Sequence, residues 1–155
     1  MKRINLLWLL VAISCLVIVV AVYAVLVACS QSSKWAYTIG SVKAINAAFL
    51  SELNKKDTNL KEILSPVDEQ WRFLTPEQYD RVIIELNKSY SLDPPPASGQ
   101  PLLDLWGNRF DIAYRKLPNQ DYDVIVVSKG SDGIYGTKDD IVSDYGAAPP
   151  VKVDK

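Results

Sequence analysis

The chain has 155 residues, with 17 lysines and arginines, 18 aspartates and glutamates, two cysteines and no histidine. That length suits one modest domain; a formal charge of −1 lacks the basic face of a general nucleic-acid binder; and without histidine the Ser-His-Asp and Cys-His nucleophile systems and most zinc sites fall away. The hydrophobic content of 48% is uneven, since 23 of the 25 residues from 4 to 28 are apolar, which describes a membrane segment joined to a small water-soluble domain.

No charged residue occurs from Ile4 to Ser33. Twenty-five helical residues cover roughly 37 Å, enough to cross a hydrocarbon core of about 30 Å. Lys2 and Arg3 precede the segment, and the next positive charge is Lys34. The positive-inside rule then puts the N-terminus in the cytoplasm and residues 30–155 outside it. The apolar run is longer than the core of a cleaved secretory signal, which has about 7–15 residues. Leu26-Val27-Ala28-Cys29 resembles the bacterial lipobox, whose cysteine receives lipid. Two readings therefore stand: a retained transmembrane helix with Cys29 at its exit, or a lipoprotein anchored through Cys29. Either way the domain is tethered to a lipid bilayer. Cys15 lies inside the span, so the exported part has neither disulfide nor thiolate metal site.

Past the bilayer, Trp35, Ile39, Val42, Ile45, Phe49 and Leu53 recur at helical spacing. One long helix is expected, apolar all round at first and amphipathic later, with Gly40 as a place for a bend. Leu60, Ile63 and Leu64 suggest a short helical turn stopped by Pro66. Thr75-Pro76-Glu77-Gln78 has the form of a capping box with proline at the first helical position. Tyr79, Val82, Ile83, Leu86 and Tyr90 form the stripe of the helix that follows. Residues 91–101, with prolines at 94–96, read as a stiff loop. The period then becomes two: Phe110, Ile112 and Tyr114 alternate with Asp111, Ala113 and Arg115, and 122–127 is a second strand across a turn at 117–120. Ile141-Val142 is a candidate third strand. The predicted class is α+β, with an anchor over 1–29, an extracytoplasmic domain over 30–146 and a flexible tail over 147–155.

Leu105-Trp106-Gly107-Asn108 before the alternating strand resembles a turn of the type II secretion major pseudopilins. So does Ser128-Lys129-Gly130-Ser131-Asp132-Gly133, followed by Asp139-Asp140-Ile141. The resemblance covers roughly 104–142, together with the order of elements. It implies a pilin-like fold, a calcium-binding loop, secretion-system or pilin-like protein partners and the bacterial inner membrane as location. It assigns carboxylate ligands to Asp132, Asp139 and Asp140, and backbone carbonyls to Lys129 and Ser131. The chemistry agrees, since calcium takes about six to eight oxygen ligands from a pliant loop. The plain alternative is Asp-Gly as a turn and Asp-Asp as a solvated hairpin tip. Trp106 reads as a core plug and Gly107-Asn108 as a turn.

The family's processing site has no counterpart: no glycine precedes the apolar run and no glutamate lies within it. A stationary membrane anchor is therefore expected rather than a filament subunit. An enzyme would have to draw on acids such as Glu85, Asp111 and Asp123, which form no recognisable pair, so no catalytic residue is assigned. A labelled lipid precursor separates the two anchoring modes. Lipidation predicts a labelled chain whose label disappears in Cys29→Ala, whereas a retained helix predicts no label in either.

Overall fold

The computed structural model of the chain describes residues 6–65, 68–90, 101–119, 121–144 and 149–151, with side chains from residue 13 onward. Two compact units are distinguished, Met1–Ala36 and Tyr37–Lys155. The elements are helix α1 (Leu6–Leu53), helix α2 (Leu60–Ile63), strand β1 (Arg72–Phe73), helix α3 (Pro76–Ser89) and strands β2 (Asp111–Lys116), β3 (Tyr122–Ser128) and β4 (Ile141–Val142). The fold is α+β, with a long N-terminal helix and one small antiparallel sheet. The expected stop at Pro66 and most of the expected loop at 91–101 lie outside the described residues.

In the first unit α1 turns apolar side chains outward on every side. Leu16, Val17, Ile18 and Val19, consecutive positions that go round the helix, are all more than 60% exposed. A helix apolar all round needs an apolar surrounding, and this one is long and apolar enough to cross a membrane. Cys15 and Cys29 are both exposed free thiols on it.

In the second unit the same helix continues through Gly40 and becomes one-sided. Thr38, Val42, Ile45, Ala48, Phe49 and Leu53 are buried, at spacings of three and four that keep them on one face. Trp35 and Ile39, expected in this stripe, are half-buried. Helix α3 begins as its sequence requires. Thr75 Oγ1 accepts the Gln78 amide at 3.2 Å and Gln78 Oε1 accepts the Thr75 amide at 3.0 Å, with Pro76 where a free N–H would be wasted. Gln78 Nε2 also donates to the Ile63 carbonyl at 3.0 Å, so the box fastens the start of α3 to the end of α2. Tyr79, Val82, Ile83 and Leu86 are buried, while Tyr90 is half-buried.

The sheet has the order β1-β2-β3-β4, antiparallel throughout. The β2–β3 hairpin pairs Ile112 with Val126 and Tyr114 with Val124. Ile141–Val142 does form a strand, against Ser128 and Val127. Strand β1 was not anticipated; it is two residues long and is extended by the Leu74 amide donating to the Ile112 carbonyl at 3.0 Å.

Cross-strand partners share a face, and both faces of the sheet are covered. On the first, Ile112, Tyr114, Val124 and Val126 are nearly sealed, and the Tyr114 hydroxyl reaches the Leu64 carbonyl after α2 at 3.3 Å. Helix α1 is tied to the β4 end by Asn46 Nδ2 donating to Ser143 Oγ at 2.8 Å, and that hydroxyl oxygen also accepts the Val126 amide. On the second face Ala113, Ile125 and Val127 are buried, and the Tyr135 ring stands edge-on to Phe73 with centroids 5.6 Å apart. Phe49, fully buried on α1, is the largest sealed side chain of the stripe. Phe49→Ala is expected to cost about 3–5 kcal/mol, measured by urea denaturation of the detergent-solubilised chain.

Candidate functional site

The two segments that carry the resemblance are joined in space. Asp104, 6% exposed, accepts the amides of Trp106 and Asn108 on Oδ1 at 3.0 and 2.8 Å, which shapes the 104–108 turn. Its Oδ2 accepts the Ser128 hydroxyl at 2.6 Å, 24 residues along the chain. Asn108 Nδ2 donates to the Gly130 carbonyl at 2.7 Å. The turn thus braces the exit of β3, where the loop to β4 begins. Trp106 is half-buried beside it rather than a core plug.

Gly130 has φ of +60°, and a Cβ there would lie 2.2 Å from the Asp139 carbonyl and 2.6 Å from Asp139 Oδ2. Only glycine fits, on both backbone and steric grounds. The close approach lets Asp139 gather the loop around its carboxylate. Oδ2 accepts Ser131 N at 2.7 Å, Ser131 Oγ at 2.8 Å and Asp132 N at 3.1 Å, and Oδ1 accepts Thr137 Oγ1 at 2.7 Å. These donors, led by the Thr137 hydroxyl, hold the Asp139 carboxyl well below the usual carboxylate range. Asp132 is exposed, its Oδ1 accepting the Ile134 amide at 2.8 Å.

Asp140 is different. Its Oδ2 accepts the Gly136 amide at 2.7 Å, but Oδ1 is buried with no hydrogen-bond partner among the described residues. Burial pushes this carboxyl up, and the charges of Asp139, Asp132 and Asp111 add to the effect. Asp111, on β2, is the contributor that sequence spacing did not place here. Alternation marked it as the polar side of a strand, and it lies some twenty residues before the loop. The same two carboxylates, Asp111 and Asp140, add to burial in raising the Tyr135 phenol.

All side-chain donors here are oxygens, which suits a hard cation such as calcium. The arrangement is less favourable. Among the described residues no group of three acidic, cysteine or histidine side chains is placed to hold a metal ion. Asp139 is engaged by loop donors, and Ser131 turns its N–H and hydroxyl toward that carboxylate. Lys129 is half-buried between Ser128 and Gly130. Of the acids considered for catalysis, Glu85 pairs with Lys88 at 2.5 Å and Asp123 with Arg115 at 2.8 Å. Each is occupied by a cation on its own element or hairpin, and Asp111 belongs to the loop cluster instead.

No protein-family model, curated protein or solved structure matches the chain.

Because Asp139 titrates lower in the folded chain than in the unfolded one, its stabilisation is complete above the unfolded carboxylate pKa of about 3.9 and is lost as pH falls through the depressed folded value. Asp139→Asn is expected to cost about 1–2 kcal/mol at pH 7, after allowing for solvent screening. The gap from the wild type should stay constant between pH 7 and 5 and narrow below about pH 4, as followed by urea denaturation.

Proposed function

We propose that the chain is a single-pass, non-enzymatic membrane protein of pseudopilin-like type that holds a structural or interaction domain on the outer side of the bacterial inner membrane. The observation that carries this reading is α1 itself. One helix supplies an exposed apolar stretch of membrane-crossing length and, from Thr38 to Leu53, the buried stripe of the sheet domain. Lys2 and Arg3 before the span favour a cytoplasmic N-terminus. The absence of histidine and the confinement of both cysteines to the apolar stretch favour a non-catalytic role. Partners are sought among membrane proteins of secretion-system or pilin-like assemblies, with this chain as a stationary anchor.

Calcium is proposed as the domain's stabilising ion. The support is the buried, unpartnered Oδ1 of Asp140, held among the charges of Asp111, Asp132 and Asp139. A divalent cation would relieve this repulsion. Asp132, Asp139 and Asp140 would hold it together with carbonyls at Lys129 and Ser131, which requires Asp139 to exchange some of its loop donors for the ion.

The chain is expected to stay with membranes through an alkaline wash and to leave them only in detergent. Solubilised, it should melt higher in calcium than in chelator, because an ion that binds only the folded state stabilises it by about 2.7 kcal/mol at a hundred times its dissociation constant. Asp140→Asn should abolish the difference. Release by alkali overturns the anchor; equal midpoints in the wild type overturn the calcium site alone.

A further inference from the structure

The loop carries one side chain, Tyr135, whose hydroxyl neither the sheet packing nor the proposed ion uses. Tyr135 donates from its hydroxyl to the Pro150 carbonyl at 2.5 Å, while its ring stands against Phe73 of β1 at an interplanar angle of 86°. From its own loop it therefore touches two stretches remote in sequence: the edge of the sheet at Phe73 and the chain at Pro150. Pro150 is buried, although the next residue, Val151, is 82% exposed. A buried residue so close to an open one needs a specific tie, and a phenol hydroxyl aimed at its carbonyl supplies one. Burial, with the charges of Asp111 and Asp140 added, raises this phenol further above its ordinary range, so it remains a donor. Tyr135 is also followed directly by Gly136, whose amide holds Asp140. A shift of the ring is thereby a shift of the acidic loop.

We propose that Pro149–Val151 form a strap that Tyr135 latches over the Phe73 side of the sheet, so that docking of the C-terminal residues and closure of the Gly130–Asp140 loop are a single coupled event. The coupling is reciprocal. A partner that takes hold of the C-terminal residues loosens the loop, and a loosened loop releases the strap. No cation is required, so the latch stands or falls separately from the calcium site.

Hydrogen exchange on the full chain in detergent and chelator tests this, alongside Tyr135→Phe, which keeps the ring and loses the hydroxyl, and a chain ending at Asp144. In both variants the loop amides of Ser131, Asp132, Ile134 and Gly136 are expected to exchange about five- to tenfold faster, the loss of roughly one buried hydrogen bond. Peptides from α3 should be unchanged. Loop exchange at the wild-type rate in either variant overturns the latch. Faster exchange in α3 as well as the loop in both variants also overturns it, because the coupling is then global rather than local.

Discussion

A sheet of four strands, two of them only two residues long, leaves the β2–β3 hairpin as its long ladder, and a hairpin alone is marginal in water unless its apolar faces are covered. Part of its cover is the second half of α1, whose Asn46 side chain is bonded to Ser143 beside β4. Val42 and Phe49 are fully sealed. The same helix faces an opposite demand further back, where its side chains are apolar and outward on all sides. The change from apolar on all sides to one-sided falls where the helix carries its first charges, at Lys34 and Lys43.

Once the sheet is held, a second constraint governs the loop from β3 to β4. The chain must reverse within a dozen residues while carrying three aspartates. Two solve the problem by accepting from the loop itself: Asp139 gathers four donors, and Asp132 caps a tight turn. Asp140 solves only half of it, and the strain shows as a carboxyl shifted upward by burial and like charges. Asp104 is a fourth aspartate in a better position, with its buried carboxylate fully used in joining the 104–108 turn to Ser128.

Features with local causes were legible. The capping box at Thr75 and Gln78 was readable because its partners lie three residues apart, and the β2–β3 hairpin because alternation is a property of neighbours. Strand β1 was not: two residues carry no period, and Arg72 becomes a strand only by pairing with Tyr114, far along the chain. The candidate site was half legible. Counting carboxylates found Asp132, Asp139 and Asp140, yet counting charges says nothing of where N–H and O–H donors point. That Asp139 also accepts four donors of its own loop was therefore not readable from the sequence. Asp111 escaped because its alternation pointed to solvent, whereas the second face of this sheet is covered.

By itself the sequence determined the membrane-length apolar run, the amphipathic continuation, the helix with its cap, the hairpin and an acidic glycine-bearing loop. Each follows from interactions among residues a few positions apart, which any window of the chain contains. Tertiary structure alone decided that the 104–108 turn braces that loop, that Asp111 joins its charges, that Asn46 meets Ser143, and that Tyr135 reaches Pro150. These depend on where the packed sheet delivers side chains separated by as many as 97 positions, and no local pattern encodes such a distance.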